Sequence, residues 1–506
     1  MLLCLFFLAC VDGSLSRAQA QSPLGRMFHQ AATGERLVRR GGSGLLAGLA
    51  DSAHVNEDAT IWTFSLKEGP GIPGSAEIAA RLNRARRSPM GMLLFRHVHG
   101  TAAAISPPAS ARALPAGILP LGPRRIRFLL DRADPDFPAR LAEIEASLCA
   151  DTLQSADAGC GPFRVSVLLG AQRLEIGRPD AKIGEVLSWT MPQETAAGIS
   201  QGETERMPQR PLFAATGRMR MPDTDAPIRL GFVLPPLPQY CSAQAPPPAA
   251  GSEFVAHVFL VVSEGARAHS RQLHADLAAG DLLPDARAWA RSEHLLPGVR
   301  IEGDVESVAT AVPAVQAGTR QTLTLSYSGD AAALGCIAER IRAVLWPAGW
   351  DIRLVREEGV APQAGVADAP ADGMLGLPAP GGPADLSLRM SLTRRRAEAW
   401  DHLRNLLDLE EGDALTELSA ETLGPGGTDP DPVAEEWNTA AAIEGRLVRE
   451  GRLVPLLTAP VRWWIEAPFR PEELLDGILP VWEEPPRPLV VITGGDGGAD
   501  QGESLQ

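Results

Sequence analysis

The stretch Leu49–Gly69, LADSAHVNEDATIWTFSLKEG, decides how this chain is read. A polar turn carrying Asn56, Glu57 and Asp58 runs into strict alternation. Trp62, Phe64 and Leu66 fall on one face of a strand, and Thr63, Ser65 and Lys67 on the other, which predicts a half-buried hairpin strand. Glu68-Gly69 ends it, because glycine takes backbone angles that other residues resist.

Around that strand the chain has room for two or three domains, with 506 residues and 45% hydrophobic side chains. It carries 47 basic against 62 acidic residues, a net charge of −15. A nucleic-acid partner is argued against, since phosphate binding wants a basic surface. Lys67 and Lys182 are the only lysines, and Tyr240 and Tyr327 the only tyrosines, which removes the commonest aromatic wall of a solute pocket.

Residues 1–20, MLLCLFFLACVDGSLSRAQA, read as an export signal. The apolar run Leu2–Cys10 is too short to span a bilayer, and Ala18-Gln19-Ala20 fits a small-residue cleavage site. No Lys or Arg precedes the run, and Leu8-Ala9-Cys10 offers the lesser alternative of lipid anchoring at Cys10. No later run approaches the roughly 18 apolar residues of a spanning helix. Past Ala20 the cysteines are Cys149, Cys160, Cys241 and Cys336. In an oxidising compartment Cys149–Cys160 makes a reasonable disulfide across a short loop, worth on the order of 3 kcal/mol. Cys241 and Cys336 either pair or stay buried and free. No CxxC occurs, so neither a redox dithiol nor a zinc ribbon is suggested.

Periodicity predicts a helix over Ala76–Arg87 capped at Gly74-Ser75, a strand at Leu93–Val98, and a strand, turn and helix over Arg124–Ile144. It predicts a hairpin about Leu169-Gly170 within Gly159–Ile176, then a strand and short helix over Ile183–Glu205. From about Met207 to Gly251 the chain is Pro-rich and reads as a connector. Phe254–Leu283 reads as a buried strand and helix, and Gln321–Val355 as a βαβ unit with its helix over Asp330–Leu345. After a linker at Glu357–Pro383 come a strand at Leu386–Met390, a helix from Arg394 to Leu409 and another over Thr439–Val454. The acidic, Gly-rich end from Glu483 reads as disordered.

The wording of these segments carries a resemblance. Leu49–Gly69 resembles LAESW-x-x-S-x-D-G-x-T-(W/Y)-T-F-x-L-R-x-G of the family 5 extracellular solute-binding proteins, the peptide- and nickel-type receptors of ABC importers. GCGPFRVSVLLGAQRLEI (Gly159–Ile176) is similar to that family's GTGPYxV hairpin, and Gly202-Glu203 falls where its Gly-Glu falls. Gln321–Val355 is similar to its LxLxYxxxD βαβ unit, and the ordered matches run from about Leu37 to Trp482. The resemblance implies a two-lobed, mixed α/β, periplasmic-binding-protein-like fold of the second type, with a hinge between the lobes. On it, residues 1–20 are the signal and 21–235 the first part of lobe I. A Pro-rich connector (236–253), lobe II (254–435), a return to lobe I (436–482) and the disordered tail (483–506) follow.

The family implies a periplasmic or extracytoplasmic monomer. It would close on a small solute, a peptide or opine or similar, and deliver it to ABC permease subunits. It performs no catalysis and uses no cofactor. Low Tyr content, the loss of the Ala-Ile-Asp-Arg helix signature and SLTRRRAEAW after Leu386–Met390 depart from the oligopeptide pattern. The cleft candidates are Tyr240, Arg271, Arg394 and Trp400. His97 and His99 would share a face of a strand and form half a metal site, but a surface or interface position is the plainer reading. Arg394-Arg395-Arg396 at a helix start gives a solvated face or an anion contact, and Asp408–Asp413 a solvated surface. Trp463-Trp464 reads as core. Gly41-Gly42-Ser43-Gly44 lacks the Walker lysine, and no Ser/His/Asp set assembles. A receptor-like sensor without transport is the alternative function, and a metal-dependent enzyme a weaker one.

Overall fold

A computed structural model describes residues 27–28, 31, 34–42, 44–69, 72–86, 91, 94–101, 117–143, 148, 163–168, 171–176, 186–190, 213–221, 224–235, 250–283, 288–292, 295, 320–328, 332–357, 384–394, 432–466, 474–480 and 487–494. In chain order, a hairpin of β1 (Val38–Gly41) and β2 (Gly44–Ala47) precedes β3 (Ala50–Val55), β4 (Ile61–Leu66) and helix α1 (Ser75–Ala85). Strands β5 (Ile118–Pro120) and β6 (Arg125–Leu129) lead to the short helix α2 (Phe137–Leu141). Strands β7 (Phe163–Leu168), β8 (Ala171–Ile176), β9 (Val186–Thr190), β10 (Phe213–Met221) and β11 (Thr224–Val233) follow. Then β12 (Ala250–Val262) runs through a tight helical turn into α3 (Ser270–Ala279), with β13 (Ala290–Arg291) beyond. The βαβ unit is β14 (Gln321–Ser328), α4 (Ala332–Leu345) and β15 (Trp350–Glu357). It is followed by β16 (Leu386–Arg394), α5 (Pro432–Arg449) and β17 (Leu453–Glu466). A small hairpin, β18 (Leu474–Leu475) and β19 (Leu479–Pro480), and strand β20 (Val490–Thr493) complete the order.

Two sheets organise these elements. The smaller has the order β20-β3-β4-β6-β5, with the opening strand β4 at its centre. Alternation becomes burial there, since Trp62, Phe64 and Leu66 are buried and Ile61, Thr63 and Ser65 are not. Asn56 closes the preceding turn, its Oδ1 accepting from the Thr60 and Ile61 amides at 2.9 and 2.8 Å. Phe64 meets Phe128 edge-on at 5.5 Å, and Phe128 meets Phe137 at 4.9 Å. Trp62 Nε1 donates to the Asp134 carbonyl at 3.1 Å, so the indole's polar tip is satisfied inside the core. Helix α1 adds Ile78, Ala79 and Leu82 to this core.

The larger sheet runs β15-β14-β16-β12-β17-β11-β10-β9-β8-β7 and has its own core. Strands β14 and β15 pair in parallel across α4, with Leu323 opposite Ile352, as a crossover unit requires. Strand β17 links the sheet's two halves. Leu453 to Trp463 pair with β12 on one side, across register shifts, while Arg462 to Glu466 pair with β11 on the other. The sheet therefore passes without a break between the part built on the βαβ unit and the part built on β7–β11.

Several expectations need correction. Leu94–Val98 do not form the strand expected at Leu93–Val98, and Val98 makes an isolated antiparallel bridge with Leu130. The Phe95 amide bonds the Gly91 carbonyl and the Val98 amide the Phe95 carbonyl, so turns take up this short apolar run before the bridge. Ser75 does not cap α1 from outside: Gly74 is the cap residue, and Ser75 is the first helical residue with its hydroxyl on the Gly122 carbonyl. The Met207–Gly251 stretch contains the hairpin β10–β11, paired from Phe213↔Phe232 to Met221↔Thr224, so it is not all connector. Arg394 ends a strand and does not open a helix. The strand expected at Leu386–Met390 runs on because its register with β12 continues to Phe254↔Arg394. Within the tail from Glu483, expected to be disordered, Val490–Thr493 pair in parallel with Ser52–Val55 of β3. The hairpin about Leu169-Gly170 and the strand and helix of Phe254–Leu283 are as expected. The short helix expected within Ile183–Glu205 lies outside the described residues.

Candidate functional site

Two of the four cleft candidates, Arg271 and Arg394, fall within the described residues. Tyr240 and Trp400 lie outside the described residues, as do Cys149, Cys160 and Cys241. Arg271 is exposed in the first turn of α3. Arg394 is 6% exposed at the end of β16 and is held by a carboxylate. Cys336, in α4, is disulfide-bonded.

The two histidines separate because their segment turns. His97 is buried, and its pKa is pushed down to about 2 by burial first and then by Arg96, Arg140 and Arg132, so the ring is neutral. His99 is exposed, with Nδ1 2.6 Å from Asp131 Oδ1. Among the described residues no group of three or more His, Cys, Asp or Glu is placed to hold a metal ion.

What the fold does assemble is a seam of buried ions between the two cores. Leu37 and Val38 belong to the smaller core, and Leu475 and Ile478 to the larger. Between them, Asp476 Oδ1 lies 2.7 Å from Arg36 Nη1, and its Oδ2 lies 3.0 Å from Arg39 Nη2. The Arg40 amide also donates to Asp476 Oδ1 at 3.3 Å. Glu143, just past α2, takes Arg40 Nη2 at 2.9 Å and Arg394 Nη1 at 2.8 Å. Among the described residues, Asp476 thus receives Arg36 and Arg39, and Glu143 receives Arg40 and Arg394. Burial alone would push the Asp476 carboxyl up, but Arg36 and Arg39 together with the Arg40 amide outweigh it and hold the group below the ordinary range. Burial dominates at Arg36 and lowers its pKa, although Asp476 opposes that. Asp476 itself has φ +56°, a left-handed conformation that aspartate tolerates better than most side chains.

A second feature sits where β17 meets β11. Gly231 of β11 faces Trp464 of β17, and a Cβ built at Gly231 would lie 2.5 Å from the indole ring. Only a glycine lets that ring come so close to the neighbouring strand. The register between β12 and β17 shifts between Gly251 and Val255, a bulge beside this same crossing.

No family model and no curated protein matches the sequence. Solved structures do match, over nearly the whole chain. The Escherichia coli murein tripeptide binding protein MppA is 13% identical, with 88% of this chain and 90% of that chain covered at a TM-score of 0.52. Haemophilus influenzae OppA in complex with RPPGFSPFR is 12% identical, with 88% and 91% covered at 0.53. The fold is that of a two-lobed periplasmic binding protein. A substrate binding protein from Microbacterium hydrocarbonoxydans complexed with 4-hydroxybenzoate hydrazide is 17% identical, with 90% and 94% covered at 0.50. At such identities the likeness establishes the binding-protein fold that the opening strand suggested. Among the described residues no helix is long and apolar enough to cross a membrane.

Proposed function

We propose that this chain is an extracytoplasmic solute-binding receptor of an ABC importer, which closes on a small solute between two lobes and passes it to membrane permease subunits. The observation that carries this reading is the end-to-end likeness to binding proteins, about nine-tenths of each chain, in a protein whose sequence offers no catalytic constellation. Lobe I is assigned to residues 21–235 and 436–482, and lobe II to 254–435. The place of β17 supports that division, because the strand lies between β12 of one lobe and β11 of the other. The disulfide at Cys336 supports residence in an oxidising compartment. The solute class is a peptide, an opine or a similar small molecule, and no cofactor takes part.

Binding between lobes stabilises the closed state through contacts absent from the open one. A thermal-shift screen of purified protein with short peptides, opines, sugars and metal chelates tests the reading. A true solute at a hundred times its dissociation constant adds about 2.7 kcal/mol and raises the midpoint in a dose-dependent way. Stabilisation by one class with saturation near its binding constant supports the receptor. A flat response across all four classes counts against it.

A further inference from the structure

We propose that the Glu143–Arg394 ion pair is a detachable latch between the lobes, and that Arg394 sets how far the solute-free protein stands open. The inference rests on the lobe division proposed above. On that division, among the described residues of the seam, Arg36, Arg39, Arg40, Glu143 and Asp476 belong to lobe I and Arg394 comes from lobe II. The contacts are accordingly unequal. Arg36 and Arg39 bind Asp476 within one lobe and tie the Leu474–Pro480 hairpin to β1. Arg394 reaches across to Glu143 with Nη1 at 2.8 and 3.1 Å from its two oxygens.

The stoichiometry makes the crossing contact reversible. Withdrawing one member of a buried pair is costly because it strands an uncompensated charge in a dry site. Glu143 escapes that penalty, since Arg40 stays on it through Nε at 3.0 Å and Nη2 at 2.9 Å. Arg394, once withdrawn, regains water. The lobes can therefore part here without orphaning a carboxylate, and they close again onto a charge that is already in place.

Position completes the argument. Arg394 is the last residue of β16 and pairs with Phe254, next to the register shift between Gly251 and Val255 beside the strand crossing. A rotation about that crossing carries the Arg394 guanidinium away from Glu143, whereas the Asp476 contacts move with their own lobe.

The test measures lobe separation in the full-length protein by electron spin resonance between encoded spin labels. One pair spans the lobes, at Glu77 and Glu339, both exposed. A control pair lies within lobe II, at Arg271 and Glu339. For Arg394→Gln the expected result is a rise of about tenfold in the open-to-closed ratio with the control distance unchanged, an effect of about 1.4 kcal/mol. Arg394→Lys should restore part of the closed population, and the urea midpoint should move little. An unchanged cross-lobe distribution in Arg394→Gln overturns the latch. Loss of cooperative unfolding in that variant also overturns it, because Arg394 would then be a structural ion. If the control pair separates as much as the cross-lobe pair, the lobe division is what fails.

Discussion

Asp476→Asn is the sharpest probe of the ion seam. The substitution keeps the side-chain shape, and asparagine tolerates the positive φ at this position, so the turn is left intact. What disappears is one negative charge, 1% exposed, between guanidiniums that are 0% and 4% exposed. Arg39 keeps the Ala31 carbonyl at 2.5 Å and Glu35 at 3.5 Å, and Arg36 keeps the Ala142 carbonyl at 3.2 Å, but neither retains its buried Asp476 counter-charge. Breaking a buried pair from one side costs about 3–5 kcal/mol. With a urea m-value of ~3 kcal/mol/M, the midpoint followed by far-ultraviolet circular dichroism falls by about 1 M or more. The pH dependence follows from the same contacts. The folded carboxyl titrates below its unfolded value of about 3.9, so its contribution is fully present above that value and is lost as pH falls through the folded one. The gap between wild type and Asp476→Asn should thus be constant at pH 5 to 7 and shrink below about pH 4. A loss under about 1 kcal/mol at pH 7, or a gap that widens in acid, refutes the reasoning.

Two further outcomes are expected. Gly231→Val drives a side chain into the Trp464 indole, so tryptophan emission should shift red and stability fall by about 1–3 kcal/mol; wild-type emission with unchanged stability would show the crossing to be loosely packed. His97→Gln concerns acid stability. The folded His97 stays neutral down to about pH 2, whereas the unfolded ring takes a proton below about 6.5. Its contribution is present above that upper value and is lost as pH falls, by about 1.4 kcal/mol per unit. Urea midpoints at pH 7, 6 and 5 should fall faster for wild type than for His97→Gln, and parallel slopes would place His97 in water.

The parts of the fold read from sequence are those whose signal is local. Trp62, Phe64 and Leu66 announce β4 by alternation, and Leu323, Leu325 and Tyr327 with the Ala332–Leu345 helix announce the βαβ unit. The errors arise where an average hides a short run. Val490-Val491-Ile492-Thr493 is a β-branched strand inside an acidic, Gly-rich end, and Phe213–Val233 is a hairpin inside a stretch judged by its prolines. The ion seam has no local signal in the sequence. Glu143 and Arg394 are 251 residues apart and Arg39 and Asp476 are 437 apart, and nothing local to either marks it for the other. Sequence singles out Arg394 as a cleft candidate at a helix start, on a solvated face or against an anion, whereas its place at the end of a strand buries it.

Strand β20 gives the small sheet an unusual assembly schedule. Its parallel partner β3 lies near residue 50, so Val490↔Ser52 joins two ends of the chain. Such a pairing closes a very long loop and is slow to form. The sheet built around Trp62 and Phe64 therefore keeps an open edge on β3 until residues 490–493 have been synthesised. An unpaired edge of that kind is a site for mispairing with other chains, so a nascent or truncated form lacking β20 is the species in which aggregation should begin.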